Sequence, residues 1–340
     1  MQLLVATHFQ IATFPTIQIT TFSTIQIALM AWIKKGVLYK PDGSLAHSRT
    51  HAQVPFAYPQ DDFLRIYFST RDDNGQSRPT FIDVEYNDFT KIRYIHDRPV
   101  LDLGGPGEYD ETGSMPASFV EQPNGDLWLY YTGWNRGHNA YRLSIGLSVS
   151  SDGGLTFKKM FNGPIMDRSI ANPLWAAQPW VIREDGRYRM WYISSDKGIY
   201  VDGHLEPYYC CKYAESEDGI HWKADGHVCL AYDDFLHAVG RPVVYRDGDR
   251  YKMYYSYRNV NNYRTDRNFS YRLGYAESAD GLDWTRKDDQ VGIAKSENPD
   301  DFDYLMINYA HRFTHDGKQY LLYNGKGFGA SGFAYAVWED

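Results

Sequence analysis

Short runs of alternating apolar and polar residues dominate the chain from residue 30 onward. LRIYFST (64–70), LWLYYTG (127–133), YRMWYIS (188–194), YKMYYSY (251–257) and QYLLYNG (319–325) place large side chains at roughly every second position. A period of two puts those side chains on one face of a strand, and aromatic residues fit that pleated surface well. Turn residues bound each run. No window of comparable quality carries a 3.6-residue apolar period, so long helices are not expected.

The strands recur in two interleaved series. One motif, a strand closing on an Asp-Gly turn before an aromatic residue, appears as SVSSDGGLTF, YAESEDGIHW and YAESADGLDW, with its Asp at 152, 218 and 280. The second series runs from Pro116 through Asn124-Gly125 to LWLYYTG, from Pro179 through Asp185-Gly186 to YRMWYIS, and from Pro242 through Asp247-Gly248 to YKMYYSY. It ends with His311, Asp316-Gly317 and QYLLYNG, and a first copy with Pro55 and Asp61-Asp62 lacks the glycine. Each unit therefore reads as two hairpins, and four strands per 60–70 residues make one propeller blade. Dividing residues 30–340 by this repeat predicts an all-β fold, a five-bladed β-propeller of four-stranded antiparallel blades. A β-sandwich would not alternate two distinct turns so strictly.

Composition narrows the partners. Aromatic residues make up 16% of the chain and 29 of them are Tyr, which suits strands and supplies platforms for sugar rings. The net charge of −8 is interspersed, without the basic stripe that neutralises phosphates, so a nucleic-acid partner is not expected. Cys210, Cys211 and Cys229 form no disulfide framework and read as small packing residues. No paired metal-ligand spacing or Gly-rich phosphate loop is present, so neither metal nor cofactor is expected. Residues 1–29 are apolar, Thr/Ile-rich and free of Lys and Arg. They read as a segment outside the 30–340 propeller domain, disordered or an over-extended start, with a weak membrane anchor as the rival reading. Without a signal peptide the expected location is cytoplasmic, with no membrane partner.

The P-x-h-h…DG-x-h-x-h-Y-Y and A-x-S-x-DG-x-x-W patterns resemble those of the five-bladed propeller glycosidases: glycoside hydrolase families 43 and 32 and the related family 130 phosphorylases. The resemblance spans essentially all of 30–340 and implies a carbohydrate substrate and cleavage of a glycosidic bond. One departure stands out. Where the arabinanase-like families often set an Asp before the proline of an innermost strand, this chain has Val54, Met115, Gln178 and Arg241, and Asn308-Tyr309-Ala310 in the last blade. The family's usual base therefore cannot be carried over by motif.

Blade topology points to the site instead. The start of strand one and the loop between strands two and three lie at the same end of a blade, so residues before each proline and after each YYTG-like run converge on one mouth. Glycoside cleavage needs an acid and a second carboxylate roughly 5–9.5 Å apart. The catalytic candidates are Asp110 or Glu111 as one partner and Glu206 as the other, with Asp303 in reserve. Substrate-binding candidates from blades one and two are His51, Gln53, Arg71, Asp72, Tyr109, Trp134 and Arg136. Blades three and four add Trp175, Gln178, His237, Arg241 and Arg258. Glu215 and Glu277 share a motif repeated by symmetry and read as structural. The arginines suit bidentate binding of an anionic sugar or of phosphate. A glycoside hydrolase is the leading expectation, with a phosphorylase or a non-catalytic glycan-binding propeller as alternatives.

Overall fold

A computed structural model describes residues 31–136 and 141–339. The expectation for residues 1–29 lies outside the described residues. The observed architecture is all-β, with a single 3-10 turn at Asp288–Gln290 among the described residues. The first strand, β1 (Ala31–Tyr39), stands apart in sequence from the unit it joins. After it come β2 (Thr50–Pro59), β3 (Leu64–Arg71), β4 (Ser77–Glu85) and β5 (Asp88–Ile95). The next unit is β6 (Gly113–Glu121), β7 (Leu127–Arg136), β8 (Tyr141–Ser150) and β9 (Lys158–Lys159). A third is β10 (Trp175–Glu184), β11 (Arg187–Val201), β12 (His204–Ser216) and β13 (Val228–Leu230). The fourth is β14 (Ala238–Asp247), β15 (Arg250–Arg258), β16 (Arg272–Ser278) and β17 (Trp284–Arg286). The last is β18 (Asn308–His315), β19 (Lys318–Asn324) and β20 (Phe333–Glu339).

Within each unit successive strands pair antiparallel, and β1 pairs with β20, so the N-terminal strand completes the last unit instead of opening the first. Single parallel pairs, Ser77 with Gly113 and Tyr209 with Ala238, join two neighbouring units in each case. The hairpins turn where the sequence places them. At Asp185-Gly186 both residues have positive φ (51° and 76°), the type I′ geometry whose twist matches antiparallel strands and which glycine tolerates without strain.

Apolar faces pack between units rather than within them. Tyr67 and Phe81 of the first unit meet Leu127 and Leu129 of the second. Ile145 and Leu147 meet Val181 and Met190. Trp191 and Cys211 meet Val244 and Met253. Tyr254 and Leu273 meet Leu321 and Ala334, and Phe313 and Leu322 come back to Ile66 and Ile82 of the first unit. All three cysteines are buried free thiols, as packing residues should be.

Aromatic size is accommodated by glycine in two places. Tyr131 lies across Gly146, where a Cβ would come within 2.4 Å of its ring, and Tyr255 lies across Gly274 at the same 2.4 Å. Each phenol then reaches a carboxylate, Tyr131 to Asp110 and Tyr255 to Asp288, and each carboxylate is also held by a cation, Lys159 or Arg286. The same device thus braces the second and the fourth unit.

Candidate functional site

The first strands of the units begin close together, and their local backbone is unusual. Val54, Gln178, Arg241 and Tyr309 hold left-handed φ values of 54°, 49°, 48° and 56°. Such non-glycine conformations cost about 1–3 kcal/mol each. The pairing register breaks at the same positions, so each strand bulges as it enters the sheet. Side chains of neighbouring units hold the kinks. Val54 N–H donates to Asn324 Oδ1 (2.9 Å), Gln178 N–H to Thr132 Oγ1 (2.8 Å), Arg241 N–H to Gln178 Oε1 (2.6 Å) and Tyr309 N–H to Ser256 Oγ (2.9 Å).

These entries form the base of a cavity of about 300 Å³. Gln53, Met115, Gln178, Gly240 and Tyr309 come from first strands. Arg71 and Trp134 stand at the ends of second strands, with Tyr141, Leu143 and Tyr209 on third strands beside them. Trp175 and Ile193 complete the wall on the third unit. Tyr263, Arg264 and Tyr271 enter from the long β15–β16 loop, and Phe328 follows β19. The two sequence sets, strand starts and second-strand ends, therefore meet at one place.

Glu206 is the carboxylate tied to this cavity. It is 2% exposed and accepts hydrogen bonds from Tyr263 Oη (3.1 Å) and from Arg264, both lining residues. Arg258 Nη2 lies 3.6 Å away. That buried guanidinium sits 3.7 Å from the Tyr263 ring centroid and donates through Nε to Tyr209 Oη and Tyr271 Oη, which share a 2.7 Å hydrogen bond. The neighbouring aromatic hydroxyls stay neutral because burial raises the pKa of Tyr209, Tyr263 and Tyr309.

The other candidate carboxylates lie elsewhere. Asp110 is fully buried, with Oδ1 2.7 Å from Lys159 Nζ and Oδ2 accepting from Tyr131 Oη at 2.9 Å. Tyr109 packs on the same Tyr131. Glu111 accepts from the Gly107 N–H, and Asp303 pairs with Lys34 at 2.5 Å. Asp72 pairs with Arg78 at 2.5 Å. None of these residues lines the cavity or bonds to a lining side chain as Glu206, itself outside the lining, does through Tyr263 and Arg264.

Among the proposed sugar contacts, Gln53, Arg71, Trp134, Trp175 and Gln178 line the cavity. His51 lies near Arg71; burial first, and that arginine second, push its pKa down to about 4. Arg136 is exposed and donates to the Gly75 carbonyl. His237 is buried against Tyr208 and bonded to the Asp234 carbonyl and the Val260 N–H. Arg241 crosses to the Val54, Pro55 and Pro116 carbonyls, and its burial lowers its pKa to about 9.

Tyr141, Tyr209, Tyr263, Arg264, Tyr271 and Phe328 are cavity residues that neither sequence rule selects. Tyr141 and Tyr209 sit on third strands and Tyr271 directly before one, positions that the strand-end rule did not sample. NNYRTDRNFSYR (261–272), a long loop dense in Tyr and Arg, was the available signal. Among the described residues no group of three or more His, Cys, Asp or Glu is arranged to hold a metal ion.

No protein-family model matches the chain. Two Mycobacterium tuberculosis proteins, MT1551 of strain CDC 1551 and Rv1502 of strain H37Rv, both uncharacterized, are each 35% identical over 315 residues. The match covers 92% of this chain and 100% of theirs. Among solved structures, a glycoside hydrolase aligns with a TM-score of 0.70 at 18% identity, over 92% of this chain and 93% of that one. A BT0996–RGII complex gives 0.70 at 19% over the same shares. A structure from the GH130 family of mannoside phosphorylases, which contains hydrolases of β-1,2-mannosidic linkages, gives 0.63 at 15% over 92% and 94%. The likeness to these propeller glycosidases is one of fold.

Proposed function

We propose, on the premise that this chain belongs to the family of the mycobacterial proteins MT1551 and Rv1502 and shares the fold of the propeller glycosidases, that it cleaves a glycosidic bond in the cavity around Glu206. The five four-stranded units are, in this reading, five blades of one propeller, with β1 fastening the last. The observation that carries the functional reading is the lining itself. Aromatic faces (Trp134, Trp175, Tyr141) stand beside Gln53, Gln178 and Arg71, with one buried carboxylate, Glu206, bonded to the lining residues Tyr263 and Arg264. Sugars need this mixture: apolar ring faces stack on aromatics while hydroxyls take directional hydrogen bonds.

Glu206 acts as the carboxylate that activates the attacking group or stabilises the positive charge developing at the anomeric carbon. Tyr263 and Arg264 fix its two oxygens, so its orientation is set before substrate arrives. In hydrolysis the attacking group is water, with a second proton-transfer group completing the pair. Phosphorolysis is the second reading, favoured by a specific observation: no Asp or Glu is among the described residues that line the cavity, while two arginines are. Phosphate brings its own nucleophile and lowers the demand for a second carboxylate.

The test is product release from a panel of oligosaccharides and aryl glycosides, with and without phosphate, for the parent chain and Glu206→Gln. Phosphate-independent turnover lowered at least about 100-fold in the variant, near the loss typical for one acid–base group, supports hydrolysis. Turnover only with phosphate supports the second reading. Glycan binding that is equal in both proteins, without turnover, overturns the enzyme reading.

A further inference from the structure

We propose that the glycan unit bound in this cavity carries a single carboxylate, as a sugar acid does, and that Arg71 receives it. This inference rests on the glycan reading above and specifies its substrate class.

The charge count around the cavity motivates it. Arg258 and Arg264 both face Glu206, so their charges are directed at an anion the protein already supplies. Arg71 has none: among the described residues no carboxylate lies within 4 Å of it. Its side chain makes one long hydrogen bond, 3.4 Å from Nη2 to Gln53 Oε1, and its Nε is buried without a partner. Burial, with Arg136 adding repulsion, lowers its pKa. His51 beside it stays uncharged near neutrality, so it neither adds to the positive charge nor offsets it. A half-buried cation without a counter-ion is costly, and a ligand anion recovers that cost.

Geometry suits a carboxylate. The guanidinium fork offers two parallel N–H groups to a planar two-oxygen acceptor, the shape a sugar acid presents. Trp134, whose ring centroid lies 5.5 Å from the guanidinium, offers the adjoining face on which the sugar ring stacks. The acid group and the ring would thus be held side by side by residues from neighbouring units.

The test uses calorimetric titration of the full chain with oligogalacturonides, hyaluronan oligosaccharides and alginate oligosaccharides. Each is paired with its carboxyl-reduced counterpart, and inorganic phosphate is titrated separately. At least one acidic glycan is expected to bind about 10- to 100-fold tighter than its reduced form, the range of a charged hydrogen-bonded pair. Arg71→Met should abolish that preference, Arg71→Lys should restore part of it, and Arg93→Met, at an exposed ion pair with Asp62, should leave it intact. Equal binding of acidic and reduced glycans, or a preference unchanged in Arg71→Met, overturns this proposal and leaves the glycan reading standing. Phosphate bound through Arg71 more tightly than any glycan also overturns it. No glycan bound at all overturns the glycan reading as well.

Discussion

Replacing Asp110 by asparagine should weaken the fold by about 3 kcal/mol, the lower end of the 3–5 kcal/mol typical for breaking a buried ion pair. The magnitude follows from the partners. Asp110 has no solvent exposure, Lys159 Nζ lies 2.7 Å away and the Tyr131 hydroxyl donates to it at 2.9 Å. An amide can still accept from Tyr131, but it leaves Lys159 facing a neutral group. Glu108, 2.8 Å from the same Nζ, keeps part of the compensation, which is why the lower end applies. Urea unfolding followed by tryptophan fluorescence reads the change as a lower midpoint at constant slope.

The pH dependence adds a second signature. Burial alone would lower the Lys159 pKa, but its bonds to Asp110 and Glu108 outweigh burial and raise it. A cation whose folded pKa is raised contributes fully below its unfolded value near 10.5 and loses that contribution as pH climbs through the folded pKa. The gap between parent and variant should therefore be wide at pH 7 and shrink above about pH 10.5. A midpoint change worth less than about 1 kcal/mol at pH 7 would refute the reasoning, because it would mean that this buried pair is energetically silent.

Three further outcomes follow from the same structure. Gly146→Ala should cost about 1–3 kcal/mol, seen as a lower Tm, because the new Cβ would lie 2.3 Å from Tyr109 Oη and 2.4 Å from the Tyr131 ring. His51 should titrate in NMR with a midpoint near 4, and Arg71→Met should move it upward though not to the free value, since burial is the larger cause. Its pKa is depressed on folding, so its contribution to stability is present above about pH 6.5 and falls away as pH drops toward 4. Glu206→Gln should retain glycan binding while losing turnover, a kcat effect checked by separate binding and rate measurements.

The fold was legible because its signals are local and repeated. Asp185-Gly186 and Asp316-Gly317 set their hairpins by backbone chemistry that needs no tertiary context, and β10–β11 and β18–β19 turn at those residues. The role of β1 was less visible: it pairs with β20, some 300 residues away, and no local pattern announces that partner. The site was legible in part. Strand starts and second-strand ends brought out Gln53, Arg71, Trp134, Trp175 and Gln178, because topology fixes where those ends lie. Tyr141 and Tyr209 on third strands and Tyr263 and Arg264 in the β15–β16 loop escaped, since that loop's path is set by packing and not by a repeat. Asp110 shows the converse limit. Its place before a first strand pointed to the mouth, but Gly146 opens space for Tyr131 and Lys159 reaches in, and the carboxylate turns into that network.

The central claim is that a glycan is bound and cleaved at the cavity beside Glu206. It is tested most directly by a crystal structure of the Glu206→Gln variant, soaked with an oligosaccharide that the parent chain turns over. The account predicts a sugar ring against Trp134 or Trp175 with its scissile oxygen within reach of residue 206. Sugar bound instead at the outer turn around Arg187, Glu215 and His221, with the cavity empty, would contradict it.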